Sequence, residues 1–243
     1  MKIREVFGVD RVLLPVIHTV DRSMALESIR IAHAAGCHGV FVIDQELSAV
    51  DVFAIVCEAR AAHPDLWIGV NILSRRPHQA LGDALDACGR IDGIWSDNAG
   101  IDLHVADDPP AAEMFRTVRT VRAWTGLHFG GVAFKYQRPV EREDLGRLTA
   151  LAAKYVDVIC TSGPATGIPA DIVKVCVMRA STEAPIALAS GITAGNVRNY
   201  LPYVDAYLVG TGIEERFGVL DPRKVEALNR VITEHVVALE ESP

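Results

Sequence analysis

The chain repeats one pattern eight times: an apolar run of strand length is followed by a stretch whose apolar residues recur with helical spacing. The runs are rich in Val and Ile, as expected of parallel strands that are buried on both faces. The predicted strands are Val12–Ile17, Val40–Ile43, Leu66–Leu73, Gly93–Ser96, Leu127–Phe134, Val156–Cys160, Ile186–Ala189 and Ala206–Val209. The predicted helices are Ser23–Ala35, Ala49–Ala62, His78–Cys88, Ala111–Trp124, Arg142–Lys154, Ala170–Arg179, Ala194–Tyr200 and Pro222–Leu239.

The length of the repeat selects one architecture. Eight units in 243 residues give about 30 residues each, the usual size of a strand–helix–strand step. No long linker or low-complexity run divides the chain, which predicts one domain over residues 1–243. An open doubly wound sheet usually carries a G-x-G-x-x-G turn after its first strand, whereas this strand ends Pro15-Val16-Ile17-His18-Thr19. The sequence therefore predicts an α/β fold, a single closed (β/α)8 TIM barrel.

Charge and hydropathy exclude several classes of function. Lys and Arg number 24 and Asp and Glu 31, and the net charge of −7 argues against a general nucleic-acid binder. No apolar run reaches the roughly 20 residues that span a bilayer, so we expect a cytoplasmic protein without membrane insertion. The five cysteines contain no C-x-x-C pair, and no His is spaced as a metal ligand. Neither a disulfide framework nor a bound metal is therefore expected.

Polar residues end the predicted strands where a barrel places its catalytic loops. Lys135 is the only lysine that ends a strand, and it suits a charge clamp for an anion or an imine-forming amine. Asp97 and Asp44 are the acid or base candidates, and the imidazole of His18 suits proton transfer. Ordinary turn chemistry is the alternative for each of them. Asn71, near the end of strand 3, and Asn98, which follows Asp97, are predicted to contact the substrate.

Glycine turns follow strands 7 and 8, where this fold commonly binds phosphate through backbone N–H groups. Tight turns without a ligand are the alternative interpretation. A third glycine-rich turn, after strand 6, is predicted to hold a second phosphate, to close over the substrate, or to form a plain turn. The substrate-binding residues predicted in these three turns are Thr161, Ser162, Gly163, Thr166, Ser190, Gly191, Ile192, Gly210, Thr211 and Gly212.

From about Leu66 to Gly218 the chain resembles the BtpA/SgcQ family of barrel proteins. The resemblance lies in Gly69-Val70-Asn71-Ile72-Leu73, Phe134-Lys135-Tyr136-Gln137-Arg138-Pro139, Thr161-Ser162-Gly163-Pro164-Ala165-Thr166-Gly167, and Ala189-Ser190-Gly191-Ile192-Thr193 with Asn196-Val197. The first quarter of the chain departs from the family pattern. Where the family usually has an H-L-x-P-L-P-G segment, this chain has His18-Thr19-Val20-Asp21, and where it has a motif like E-N-F-G-D, this chain has Asp44-Gln45-Glu46. The resemblance implies a phosphate-binding barrel without an established reaction. One member is named for a role in photosystem I biogenesis, which implies a non-catalytic alternative.

Better-known reactions do not fit the strand ends. Phosphoribosylanthranilate isomerase needs a cysteine after strand 1 and an aspartate after strand 6, where His18 and Thr161 stand. The sequence predicts an enzyme for a sugar phosphate or phosphoribosyl compound, acting by proton transfer, isomerisation, or C–N or C–C bond chemistry. No cofactor is expected, although FMN would use the same phosphate loops. A homo-oligomer is compatible with this prediction. A ligand-sensing or complex-assembly factor is the alternative.

Overall fold

Eight parallel strands close into a barrel in chain order. A computed structural model describes residues 3–102 and 109–240 of the chain, with side chains as far as residue 233. The strands of the described part are β1 Val12–His18, β2 Gly39–Ile43, β3 Trp67–Asn71, β4 Gly93–Ser96, β5 Leu127–Gly131, β6 Val158–Ser162, β7 Ile186–Ala189 and β8 Ala206–Val209. Each strand pairs with the next, and β1 also pairs with β8 through Val12 and Ala206. The TIM barrel predicted from the sequence is confirmed.

Helices follow most strands and cover the outside of the barrel. They are α1 Ile3–Phe7, α2 Arg22–Ala34, α3 Ala49–Ala62, α4 Pro77–Cys88, α5 Pro110–Val121, α6 Arg142–Ala152, α7 Ile172–Ala180 and α8 Pro222–Glu240. Side-chain caps fix several of their starts: Asp21 accepts hydrogen bonds from the first turn of α2, and Ser48 with Asp51 forms a capping box on α3. None of the helices that the structure describes combines the length and hydropathy of a membrane span.

The strand ends shift by a few residues, so that β5 ends at Gly131 rather than Phe134 and β6 ends at Ser162 rather than Cys160. Three further differences concern whole elements. The helix expected over Ala194–Tyr200 is only a 3-10 turn at Val197–Asn199, because the Asn196 side chain bonds the backbone of Thr193 and Gly191 instead. A short antiparallel hairpin, β9 Glu214–Arg216 and β10 Val219–Leu220, follows β8. Helix α1 packs its apolar residues against the interior of the barrel.

The barrel interior is filled by aromatic side chains that point inward from four neighbouring strands. The Phe41 ring lies 5.2 Å from Trp67, 5.7 Å from Trp95 and 5.0 Å from Phe129 between ring centroids, each edge to face. Glycine leaves the space that these rings occupy: a Cβ on Gly93 would overlap the Trp67 ring. The interior therefore combines large aromatic side chains with glycines on neighbouring strands, which leave the space that the rings fill.

This packing predicts opposite effects for two glycine-to-alanine substitutions. Gly93→Ala should destabilise the protein by about 1–3 kcal/mol, since the added methyl group overpacks the interior against Trp67. Gly82→Ala, inside α4 where a Cβ meets nothing within 4 Å, should stabilise it by about 0.5–1 kcal/mol. Urea unfolding of both variants measures the difference. Equal effects from both substitutions would contradict the packing of Trp67 against Gly93.

Candidate active site at the carboxyl ends of the strands

His18 is held by a carboxylate that the sequence analysis did not select. Its Nδ1 lies 2.6 Å from Oε1 of Glu214, and the two side chains are only 11% and 4% exposed. The ring stacks on Phe217 with centroids 4.8 Å apart, and Gly210 lies so close behind it that a Cβ there would overlap the ring. Among the described residues Nε2 has no hydrogen-bond partner. Glu214 thus orients the imidazole and leaves Nε2 for proton transfer.

Asn71 and Asp97 form the second polar group at the mouth. They lie two residues beyond inward-facing positions on β3 and β4, so the strand period of two directs them inward as well. The Nδ2 group of Asn71 donates to Oδ1 of Asp97 at 3.0 Å. Burial raises the pKa of Asp97 above its usual value, although the Asn71 bond and the Lys135 charge act in the opposite direction. A carboxyl with a raised pKa is suited to donate a proton.

Lys135 connects Asp97 with the glycine-rich turn after β6. Its backbone N–H donates to Oγ of Ser162 at 2.8 Å, and its Nζ donates to Oγ1 of Thr166 at 3.1 Å. Thr166 also bonds the Tyr136 hydroxyl, which lowers the pKa of that tyrosine. Two segments that the sequence analysis treated separately, the lysine loop and the threonine turn, therefore meet at one side chain.

A second lysine supports this corner, and the sequence analysis missed it. Nζ of Lys174, in the first turn of α7, donates to the carbonyl oxygens of Ala133 at 2.5 Å and Ser162 at 2.9 Å. Burial lowers the pKa of Lys174 to about 8. The sequence did not mark Lys174 as a site residue because it lies on a helix and does not end a strand. Only the fold brings that helix next to the ends of β5 and β6. Lys174 fixes the two loops that carry Lys135 and Thr166.

The glycine turns after β6, β7 and β8 are packed against one another. A Cβ on either Gly163 or Gly191 would overlap the backbone of the β6–α7 loop at Ile168 and Pro169, and one on Gly212 would overlap the Ile192 carbonyl. Glycine is thus required at Gly191 and Gly212 because neighbouring loops touch there, and at Gly163 because its own loop folds back onto it. The sequence analysis expected a different reason, the close approach of a phosphate. Ser190 and Gly191 both have positive φ angles, 71° and 67°.

The packed loops leave backbone donors at the mouth. The N–H groups of Gly191 and Ile192 have no acceptor within the part of the chain that the structure describes. Thr211 begins a 3-10 turn over Thr211–Ile213, and its Oγ1 lies 3.9 Å from the place of a Cβ on Gly167. Gly167 follows Thr166, which bonds Lys135, so the turn after β6 adjoins both Thr211 and the lysine.

The remaining predicted residues have structural contacts. Both carboxylate oxygens of Asp44 accept hydrogen bonds from Leu73 and Ser74, so this aspartate holds the β3–α4 turn. Asn98 caps its own turn by accepting from the Gly100 N–H at 2.7 Å. Thr161 is buried and donates to the Ala133 carbonyl at 3.4 Å. The structure brings Asn71, Asp97, Lys135 and Thr166 together, and it places His18 with the β8 loop.

Two cavities border this group of side chains. One of about 640 Å³ lies beside Asn71 and Asp97, and much of its wall is apolar, including Trp95 and Met114. The other, of about 540 Å³, contains Lys135 and three further cations, Arg138, Arg142 and Lys174. Within the described residues no group of three or more His, Cys, Asp or Glu side chains is arranged to hold a metal ion. One cavity thus borders Asp97 and the other borders Lys135, and both contain cationic side chains, among them Arg75 and Arg76 in the first.

The contact with Glu214 predicts the tautomer of His18. We expect neutral His18 to carry its proton on Nδ1, because that nitrogen faces a carboxylate, and the proton should move to Nε2 in Glu214→Ala. Two-bond ¹H–¹⁵N correlation spectra at pH 9 report the tautomer, with His18→Gln identifying the signal. An Nε2–H tautomer in the unmodified protein would contradict the proposed orientation.

The raised pKa of Asp97 predicts that Asp97→Asn is the more stable protein at neutral pH. Unfolded Asp97 loses its proton near pH 3.9, before the folded form does, so its ionisation destabilises the fold as pH rises through that range. The variant should exceed the unmodified protein in Tm by about 2–4 °C at pH 7 and by much less near pH 3.5. Asp65→Asn, at an exposed position, is the control. If the Tm difference between Asp97→Asn and the unmodified protein were the same at both pH values, a buried charge at Asp97 would be excluded.

Comparison with solved structures supports the architecture. Phosphoribosyl anthranilate isomerase from Thermus thermophilus superposes with a TM-score of 0.63 over 91% of this chain and 99% of that one, at 17% identity. The isomerase from Pyrococcus furiosus gives 0.63 over 91% and 99%, at 14% identity. The tryptophan synthase alpha chain from Legionella pneumophila gives 0.63 over 93% and 92%, at 10% identity. At these identities the likeness shows the fold alone.

Sequence comparison gives one informative relative. The uncharacterized protein TK2179 of Thermococcus kodakarensis is 27% identical over 166 residues, which are 68% of this chain and 54% of that protein. The chain thus spans about half the length of the curated relative that it matches. No family model matches the sequence. What the comparisons show is the TIM-barrel fold of the chain.

Proposed function

We propose that the protein is an enzyme that binds a phosphorylated small molecule at the mouth of the barrel. The observation that carries the proposal is the place of Lys135: its Nζ contacts the turn beside Thr211, and its charge acts on Asp97. The same cation therefore contacts the turn that packs against Gly191 and Thr211, and it acts on the pKa of Asp97. A phosphate would accept hydrogen bonds from Gly191, Ile192 and Thr211.

The side chains at the mouth suit proton transfer on the bound ligand. Asp97 would act as the acid because burial raises its pKa, and His18 would act as the base through Nε2. Lys135 would stabilise negative charge that develops on a carbonyl oxygen. This arrangement supports isomerisation, or cleavage of a C–N or C–C bond next to a carbonyl group. We place the enzyme in the cytoplasm and require no cofactor for this chemistry.

The reaction that we propose uses other catalytic groups than those expected of phosphoribosyl anthranilate isomerase. The names of those enzymes include a phosphoribosyl anthranilate substrate, and a phosphoribosyl compound is accordingly the first ligand class to test. The cysteine and aspartate expected of that isomerase are His18 and Thr161 here. The BtpA/SgcQ resemblance supports the same phosphate loops and leaves the reaction open. We therefore propose a shared ligand class and different chemistry.

The phosphate site is tested with a charge placed at Thr211. Gly191→Asp is unsuitable because any Cβ there overlaps Pro169, whereas Thr211 is exposed. Ribose 5-phosphate, orthophosphate, phosphoribosyl compounds and FMN are screened by thermal shift. A true ligand at about 100 times its Kd should add about 2.7 kcal/mol, or several degrees in Tm. Thr211→Glu should abolish the shift through charge repulsion, and Thr211→Val should retain much of it.

A turnover assay of the bound ligand separates catalysis from binding alone. If a phosphorylated ligand binds and is converted, Asp97→Asn should retain binding and lower turnover by about 10²-fold or more. If the ligand binds without conversion, a ligand-sensing or assembly role of the BtpA type is favoured. The whole proposal would be lost if no phosphorylated compound shifted Tm, or if the shift persisted unchanged in Thr211→Glu.

A further inference from the structure

Two cysteines that are distant in the sequence lie in contact on the outer ring of helices. Sγ of Cys57, on α3, is 3.2 Å from Sγ of Cys88, the last residue of α4, although 31 positions separate them. The sequence contains no C-x-x-C spacing and therefore gave no indication of this pair. Helices α3 and α4 pack side by side, and that packing alone brings the thiols together.

The surroundings of the two thiols differ. Cys57 is exposed, whereas Cys88 is partly buried, and its Sγ donates to the carbonyl oxygen of Phe53 at 3.5 Å. Burial raises the pKa of Cys88 to about 12, with the contact to Cys57 acting in the same direction and Arg60 opposing it. An exposed thiol beside a shielded one is the arrangement in which the first attacks an oxidant and the second resolves the product.

We propose that Cys57 and Cys88 form a reversible intramolecular disulfide by exchange with a small disulfide such as oxidised glutathione. The Cys57 thiolate attacks one sulfur of the oxidant, whose S–S bond breaks to release a glutathione thiolate that takes up a proton. Cys88 then attacks the sulfur of Cys57, gives up its proton and releases the second glutathione. Two protein thiols are oxidised, and one glutathione disulfide is reduced to two thiols.

The position of the pair separates this site from the mouth. Cys88 ends its helix, and a helix that follows a barrel strand runs back toward the amino ends of the strands. The cross-link would therefore join α3 to α4 away from Asp97 and Lys135. It needs a movement of the two sulfur atoms from 3.2 Å to the S–S bond length of about 2.05 Å. The proposal does not rest on the proposed function.

The experiment equilibrates the full chain in glutathione buffers that range from reduced to oxidised, followed by alkylation of free thiols and mass spectrometry. In oxidised buffer we expect two of the five thiols to escape alkylation and the tryptic peptides of Cys57 and Cys88 to be linked. The oxidised protein should have a Tm on the order of 5–10 °C higher. Dithiothreitol should reverse both changes.

Three single variants assign the chemistry. Cys57→Ser should remain unlinked, Cys88→Ser should accumulate a glutathione mixed disulfide on Cys57, and Cys176→Ser should form the cross-link like the unmodified chain. Circular dichroism of each variant confirms that it is folded. Full alkylation of both cysteines in oxidised buffer, or a cross-link between two chains rather than within one, would overturn the proposal.

Discussion

The barrel depends on how four aromatic rings share its interior. Phe41 contacts Trp67, Trp95 and Phe129 edge to face, and Trp67 also contacts Phe129. Glycines on neighbouring strands leave room for these rings. Bulky rings fill the volume that the short strands enclose, so the interior is a packed core rather than a channel. The same packing supports the mouth. Asp97 lies two residues beyond Trp95, and its inward direction follows from that of the indole.

The mouth combines two kinds of construction. Around β6, β7 and β8, loops touch through glycine backbone and leave N–H groups as donors. Around β3, β4 and β5, Asp97 is shielded from solvent beside Asn71, and this burial raises its pKa although the Asn71 bond and the Lys135 charge lower it. Lys135 joins the two parts, because its backbone bonds Ser162 and its ammonium bonds Thr166. A ligand with a phosphate at one end and a polar reacting group at the other fits this division.

Periodicity was sufficient to predict the barrel, since eight apolar runs with buried-strand composition have few other ways to close. It also selected His18, Asn71, Asp97 and Lys135, because residues that end parallel strands meet at one edge. It did not reveal Glu214 or Lys174, which reach the mouth from a hairpin and a helix surface. Asp44 ends a strand in the same way as Asp97 but bonds the next turn, a distinction that depends on side-chain direction and not on residue type.

The interlocked glycine turns have a consequence for how such a mouth can diversify. Since Gly191 lies against the backbone of the β6–α7 loop at Ile168 and Pro169, a side chain at Gly191 would displace that neighbouring loop as well as its own. Changes on this side of the mouth must therefore be concerted. In the turn after β3 the Leu73 side chain is exposed, so a substitution there would displace no neighbouring loop. New substrate preferences would accordingly arise on one side of the barrel while the anchoring side stays constant.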